Sequence, residues 1–361
     1  MSKENEILYQ IRMNPFISQQ ELSNRIGLSR PAVANYITKL IKSGDIRGRA
    51  YVLNDMSMIT CLGGMNVDRK ARAEQDVRLN TSNPVRTKET CGGVARNYAE
   101  NLRYLGYNTQ LMACVGDDKE GHWLLNETKS AGVDVSQVWK FAASGTGTFT
   151  TLLDANGKSV VSMADMNIYE HLTIAMLEEK WSAITSAGIF LDTNLPAACV
   201  HYIIDRSFQE NIPLYIDPVS STKALKLPER LDGTELLILS KDEAEALYGK
   251  PIHSVSTCEA VCETLSQRGV KRVVINLDDG GVYYYAAGEA GLLTPFETEV
   301  TDDTGISDAL GASVVYGILH GESLRDACQL GLAGMELTLQ TEASISSQLK
   351  PEKLHRMIRP D

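Results

Sequence analysis

The chain has 361 residues, 43% of them hydrophobic and 22% charged. This composition excludes a disordered or collagen-like polymer and supplies one large core or two modest ones. No apolar run approaches the roughly 20 residues a membrane helix needs. The start Met1-Ser2-Lys3-Glu4-Asn5-Glu6 is too polar for a secretory signal. Seven scattered cysteines without a C-x-x-C pair fit a reducing cytoplasm, and six isolated histidines build no metal cluster. The net charge of -11 argues against a nucleic-acid binder when the chain is taken whole. Divided at residue 55 it reads differently. Residues 1–55 hold eight Lys/Arg and five Asp/Glu, net +3, which leaves -14 on residues 56–361. A basic head on an acidic body implies two domains with different partners.

In the head, Lys3 to Met13 reads as a helix with Ile7, Leu8 and Ile11 on one face, ended by Asn14-Pro15. Ser18-Gln19-Gln20-Glu21 is a capping box opening a second helix with Leu22 and Ile26 inward and Gly27 at its end. Ser29 caps a third, with Pro31 in its first turn and Val33, Ile37, Leu40 and Ile41 inward. Gly44 to Leu53 reads as a short strand pair with basic residues at its turn. This order matches the helix-turn-helix plan, and the stretch resembles the winged helix-turn-helix heads of bacterial regulators. The resemblance implies DNA binding, with Arg30, Asn35 and Lys39 of the third helix in the major groove and Arg47 and Arg49 on phosphates. The competing reading is a small helical cap whose charges face solvent. A charge of +3 favours two heads on a homodimer over one.

The body alternates apolar strands with helices. Strands are expected at Met58–Gly64, Leu111–Val115, Gly188–Asp192, Pro213–Asp217, Leu236–Leu239 and Arg272–Asn276, with a helix from Val94 to Leu105. That alternation predicts an α/β domain with a mostly parallel sheet, helices on both faces and ligands beyond the strand C-termini. Thr148–Asp154 and Ser159–Met163 flank Asn156-Gly157 as a β-hairpin, and Arg69–Leu79 is strand-like. Such inserted strands suit a flap over the site.

Near the C-terminus, Thr301-Asp302-Asp303-Thr304-Gly305-Ile306-Ser307-Asp308 leads into a helix of small apolar residues. Backbone N–H groups at a helix start favour anions. Asp308, one turn in, is placed to take a proton from a hydroxyl while those amides hold a phosphoryl group. Taken alone, an Asp there is most often a dipole partner.

From about residue 58 to 345 the chain resembles the ribokinase-like (PfkB) carbohydrate kinases. The D-T-x-G-A-G-D signature stands here as Asp302 to Asp308. Gly64-Met65-Asn66-Val67-Asp68 matches the sugar motif, Gly92-Gly93-Val94-Ala95-Arg96-Asn97 the G-G-x-x-x-N element, and Val115-Gly116-Asp117-Asp118 and Gly132-Val133-Asp134 two further signatures. Within the family the likeness is to the pseudouridine kinase branch, through the 92–102 stretch, Thr146-Gly147-Thr148, Ala164-Asp165-Met166-Asn167 and Asp217-Pro218-Val219-Ser220. The resemblance implies a three-layer α/β sandwich with a small β-lid over residues 56–361. It implies an ATP-dependent kinase acting on a primary hydroxyl of a nucleoside or sugar, with Mg²⁺ and, commonly in the family, a monovalent cation. Asp308 is then the base, and Gly305, Ile306 and Ser307 the anion hole. Asn66, Asp68, Gly92, Gly93, Asn97 and Asp165 hold substrate, Ser240, Asn276, Asp278 and Gly281 the nucleotide, and Glu243 the metal.

The departures fall in the nucleotide half. G-A-G-D reads Gly305-Ile306-Ser307-Asp308, N-x-x-E reads Ser240-Lys241-Asp242-Glu243, and T-L-G reads Asn276-Leu277-Asp278. Ser307 costs on the order of 1 kcal/mol if it must adopt positive φ. Ile306 adds bulk where phosphate approaches, and Asp278 repels a triphosphate unless it points away. An alternative therefore stands beside the kinase: a sugar- or nucleoside-sensing regulator with an impaired kinase site.

Overall fold

The computed structural model describes residues 2–14, 17–46, 58–184, 187–278, 280–296, 304–341 and 344–358. In the head, helices Lys3–Met13, Gln19–Ile26 and Arg30–Lys42 start at Ser2, Ser18 and Ser29, each of whose side chains accepts a backbone N–H from the first turn. Ser18 and Glu21 close a reciprocal capping box, and Gly27 adopts left-handed φ. Ile7, Ile11, Leu22, Val33, Ile37 and Leu40 form a separate apolar core. Ile41, expected inside, is 45% exposed, because Val33, Ile37 and Leu40 already fill the inward face at spacings of three and four. The expected wing, with Arg47 and Arg49, lies outside the described residues.

The body is built on an eight-stranded sheet. Its spatial order is Glu289–Leu293, Val282–Ala286, Arg272–Asn276, Thr234–Ser240, Leu214–Asp217, Ile189–Asp192, Met58–Leu62, Asn108–Met112. The six strands from Arg272–Asn276 to Asn108–Met112 are parallel, and the first two add an antiparallel hairpin. Successive strand residues point to opposite faces. Leu62, Leu191, Ile216, Leu237 and Ile275 pack into one helical layer, and Cys61, Phe190, Tyr215, Leu236 and Val274 into the other. The result is a three-layer α/β sandwich preceded by a helical head.

A second sheet of four strands runs Val85–Gly92, Asn66–Ala73, Thr148–Leu153, Ser159–Asp165. The hairpin at Asn156-Gly157 forms as expected. The strand expected to run to Leu79 ends at Ala73, and Val85–Gly92 pairs with it residue for residue, from Asn66 with Gly92 to Ala73 with Val85. All seven cysteines are free thiols. No described helix is long and apolar enough to cross a membrane.

Candidate active site

The site forms where the strand order switches. Met58–Leu62 lies between Asn108–Met112 on one side and Ile189–Asp192 on the other, so the loops beyond their C-termini part and leave a crevice. Asp192 closes the second of these strands and is fully buried. One carboxylate oxygen accepts the backbone N–H groups of Gly64 (2.6 Å) and Ala95 (2.9 Å), and the other accepts that of Asn194 (2.8 Å). It thereby ties the glycine turn to the start of helix Val94–Tyr104. Burial raises its carboxyl, while the backbone donors oppose that rise. Gly93, at φ 101°, admits the Gly64 backbone so closely that any Cβ would collide with it.

Helix Val94–Tyr104 delivers two adjacent side chains. Asn97 donates its Nδ2–H to Asp308 Oδ2 at 2.7 Å, and the Tyr98 hydroxyl donates to Asp217 Oδ2 at 3.0 Å. Tyr98 also stacks on Phe190 with centroids 3.7 Å apart. The opposing helix, Ile306–Leu319, approaches this closely because Gly311 leaves room for the Tyr98 hydroxyl.

Asp308 lies in the first turn of that helix. Burial, with the Asp192 and Asp68 carboxylates nearby, pushes its pKa up to about 7 against the opposing Asn97 bond. Asp68 stands on strand Asn66–Ala73, where Asn66 donates to it at 2.6 Å. Burial raises Asp68 to about 6. Gly92, paired with Asn66, leaves space that a Cβ would take from this carboxylate.

On the nucleotide side, Ser240 caps helix Lys241–Tyr248, and Glu243 returns a bond to the Ser240 N–H at 2.8 Å. Asp217, Asp242, Glu243 and Asp308 line a cleft of about 330 Å³ together with Asn276 and Ser307. The Asp217 carboxyl is held well above its usual range by burial and by Glu243 and Asp308, and Glu243 is raised by burial. Asn276 donates weakly to Ser307 at 3.5 Å, while its buried Oδ1 has no partner. Gly281 closes a tight turn, its carbonyl accepting the Leu277 N–H at 2.8 Å. Val219, beside Asp217, holds φ 69°, an outlier for a β-branched residue, and lines the cleft.

The departures sit differently from expectation. The left-handed residue at the phosphate turn is Gly305, at φ 78°. Ser307 is helical, so it carries no such cost. Ile306 packs against the core rather than lining the cleft. Asp278 is 72% exposed and pairs with Lys241 at 2.7 Å, which offsets its charge. Asp165 ends the strand Ser159–Asp165, and its backbone carbonyl lies beside Gly147 next to Asn66. The residue is exposed and accepts from Asn167 N–H and Nδ2, at 3.4 and 3.1 Å, closing a local turn. Asp302 and Asp303 lie outside the described residues. The sequence reading assigns no role to Asp192, Asp217 or Tyr98, although Asp217 and Tyr98 fall in the matched motifs and the two aspartates end strands as a polar rim requires.

In the head, Arg30 and Asn35 are exposed, and Lys39 is exposed but bonded to Glu4 at 2.6 Å. Asn35, Thr38 and Lys42, spaced by three, four and seven, share the exposed face opposite Val33, Ile37 and Leu40. Lys42 thus joins the residues read from sequence.

Among described residues no three His, Cys, Asp or Glu converge as a metal cage. Mg²⁺ bound through phosphates and waters needs only one or two carboxylates. The Asp217 and Glu243 carboxylates, which line one cleft, fit a nearby cation of that kind.

Comparison with known proteins agrees with this architecture. A winged helix-turn-helix DNA-binding model matches residues 3–47. An uncharacterized sugar kinase of Escherichia coli (strain K12), YeiI, is 32% identical over 92% of this chain and 92% of its own. Pseudouridine kinase of the same organism is 31% identical over 82% of this chain and 96% of its own. A carbohydrate kinase structure from Agrobacterium tumefaciens superposes with TM-score 0.70 at 26% identity, covering 83% of this chain and 96% of that one. Arabidopsis thaliana ribokinase, complexed with ribose and ATP, shares the fold with TM-score 0.70 at 17% identity, covering 84% and 99%. The pfkB family carbohydrate kinase model matches residues 56–351, and the chain belongs to that family of ATP-using carbohydrate and nucleoside kinases.

Proposed function

We propose that this kinase phosphorylates the 5′-hydroxyl of a ribosyl nucleoside, with pseudouridine the leading substrate, and that its head binds DNA. The observation that carries the chemistry is Asp308. Its buried carboxyl is fixed by Asn97 at a helix start and held near neutrality by burial, where a general base works best at physiological pH. Asp68 and Asn66 face the ribose hydroxyls from the lid, and Gly92 and Gly93 let backbone approach the sugar. Asp308 takes the proton of the attacking hydroxyl, and the N–H groups from Gly305 to Ser307 receive the phosphoryl oxygens. Asn276, Ser240, Asp278 and Gly281 border the nucleotide. Mg²⁺, when bound, supplies positive charge to the phosphates, and Glu243 orients its surroundings from the start of helix Lys241–Tyr248.

The substrate assignment is supported by the pseudouridine kinase likeness together with the Gly92–Leu102 stretch. Arg30, Asn35, Lys39 and Lys42, with Arg47 and Arg49, are the proposed DNA contacts. A homodimer fits both halves: it pairs two heads, and the lid's edge strand exposes Val160, Val161 and Met163. The sensing-regulator reading rests on Ser240 in place of the motif's Asn and on Ser307, Ile306 and Asp278. The helical Ser307, the inward Ile306 and the Lys241–Asp278 pair weigh against the last three, and the retained Glu243 against the first.

The test is phosphorylation of a panel of nucleosides and free sugars with Mg-ATP. Preferred turnover of pseudouridine, with the product phosphate on O5′, is expected. Turnover of a free sugar alone overturns the nucleoside assignment.

A further inference from the structure

The cleft presents a charge problem. Four carboxylates line it, and among the described residues no Lys or Arg does. A transferring phosphoryl group spreads negative charge over its equatorial oxygens and must sit against this acidic wall. A basic side chain reaches the phosphate turn from the lid instead. Lys70, on strand Asn66–Ala73, donates to the Thr304 hydroxyl, immediately before Gly305 and the start of helix Ile306–Leu319. Lys70 and Asp68 are two apart and share one face of the lid strand. The Lys70 ammonium is close enough to lower the Asp68 carboxyl. Arg69, between them, points the other way and pairs with Glu89 at 2.8 Å and Glu120 at 3.1 Å. One strand therefore carries a carboxylate for the sugar and, one pleat further, an ammonium at the phosphate turn.

We propose that Lys70 is a catalytic residue that binds the γ-phosphoryl group from the lid strand. The proposal rests on the kinase reading. In the step, the substrate oxygen bonds to the γ-phosphorus and the bond from that phosphorus to the bridging oxygen of ADP breaks. The hydroxyl proton passes to Asp308. Lys70 forms no covalent bond; it exchanges the Thr304 hydroxyl for an equatorial phosphoryl oxygen in a charge-assisted hydrogen bond. Because it rides on the same strand as Asp68, one strand sets the sugar-side carboxylate and the ammonium at the turn together.

The experiment measures Kd for ADP and for ADP with aluminium fluoride, both with Mg²⁺, by calorimetry on the full chain. The wild type should bind the fluoride complex at least about tenfold tighter than ADP. Lys70→Ala should reduce that preference to within about threefold while leaving the ADP Kd unchanged, and Lys70→Arg should restore part of it. Lys70→Met, which keeps the aliphatic stem, gives the same reading if the alanine variant is unstable. A preserved preference in Lys70→Ala overturns the proposal. So does an equal loss of ADP affinity, or a wild type that binds ADP with no preference for the fluoride complex. A wild type that binds no ADP at all overturns the kinase reading itself.

Discussion

Asp308 answers two opposed demands. A base must be ionised to accept a proton, yet burial and the Asp68 and Asp192 carboxylates disfavour its charge. The single donated bond from Asn97 offsets only part of that. Its folded-state pKa, about 7, exceeds the ordinary 3.8, so the native state binds its proton more tightly than the unfolded chain. Stability from this group is therefore fully present below about pH 4 and is lost as pH rises toward 7. Asp308→Asn keeps the contact with Asn97 and removes the charge. At pH 8, without ligands, it should unfold at a higher temperature than the wild type, by at most about 4 kcal/mol in stability, with the gain vanishing near pH 4. The same variant should lose at least about 10²-fold in kcat. Unchanged turnover in steady-state assays contradicts the base assignment, and unchanged melting at pH 8 contradicts the buried-charge account. In the wild type, kcat/KM should fall tenfold per pH unit below about pH 7. At Asp68, proposed to face sugar hydroxyls through charge-assisted bonds, Asp68→Ala should weaken sugar binding by about 1.5–3 kcal/mol by calorimetry. An unchanged sugar affinity places the pocket elsewhere.

At the scale of elements, the phosphate turn depends on Gly305. It holds φ 78°, and a Cβ there would collide with the Ser344 carbonyl. Gly305→Ala therefore meets both the left-handed penalty, roughly 1–2 kcal/mol, and a backbone clash that only movement of the turn relieves. It should destabilise the protein by at least about 2 kcal/mol in denaturant titration and cut kcat more than sugar affinity. A wild-type-like kcat would show that the N–H groups of this turn do not hold the phosphoryl group. The core strands were legible from sequence because strands buried on both faces read as continuous apolar runs, as in Leu236–Leu239 and Val273–Ile275. Val85–Gly92 was not. Its Arg86, Thr87, Lys88 and Glu89 are all exposed, since a lid edge strand is kept from pairing further by charge rather than marked by apolar alternation. The motif residues Asp68, Asn97 and Asp308 were readable through local signatures. The Asp192 tie to Gly64 and Ala95, 128 and 97 residues away, is a product of strand order that spacing alone does not carry. Asp278 illustrates the reverse case: its position suggested repulsion, and only the fold brings Lys241 beside it.

Across the whole molecule the charge asymmetry sets what the head can do. A head of net +3 is joined to a body of net -14, so the body repels a duplex while the head attracts it, and approach is oriented by the field. Lys39 shares its charge with Glu4, an exposed pair worth little and readily exchanged for a phosphate. On the proposed reading the attraction of one head is modest and salt-sensitive, and a defined site calls for the two heads that a homodimer would supply. Replacing Arg47 and Arg49 by Ala should weaken binding to all duplexes alike and flatten the salt dependence by about 2 in log–log slope for each head bound. Regulation requires more than proximity: the nucleoside must bind the DNA-competent and DNA-incompetent states with different affinity. On the proposed reading the lid is the element to supply that difference, since it carries both Asp68 and Lys70 on one strand. If the two sites are linked, saturating pseudouridine should change the Kd for the protein's own promoter fragment by about fivefold or more, and DNA should change the nucleoside Kd by the same factor. Fluorescence anisotropy of the labelled fragment, with and without pseudouridine, measures the first, and calorimetry with and without DNA the second. DNA binding that ignores the nucleoside leaves a kinase tethered to DNA without regulation, and no DNA affinity at low salt makes the head a structural or dimerisation module.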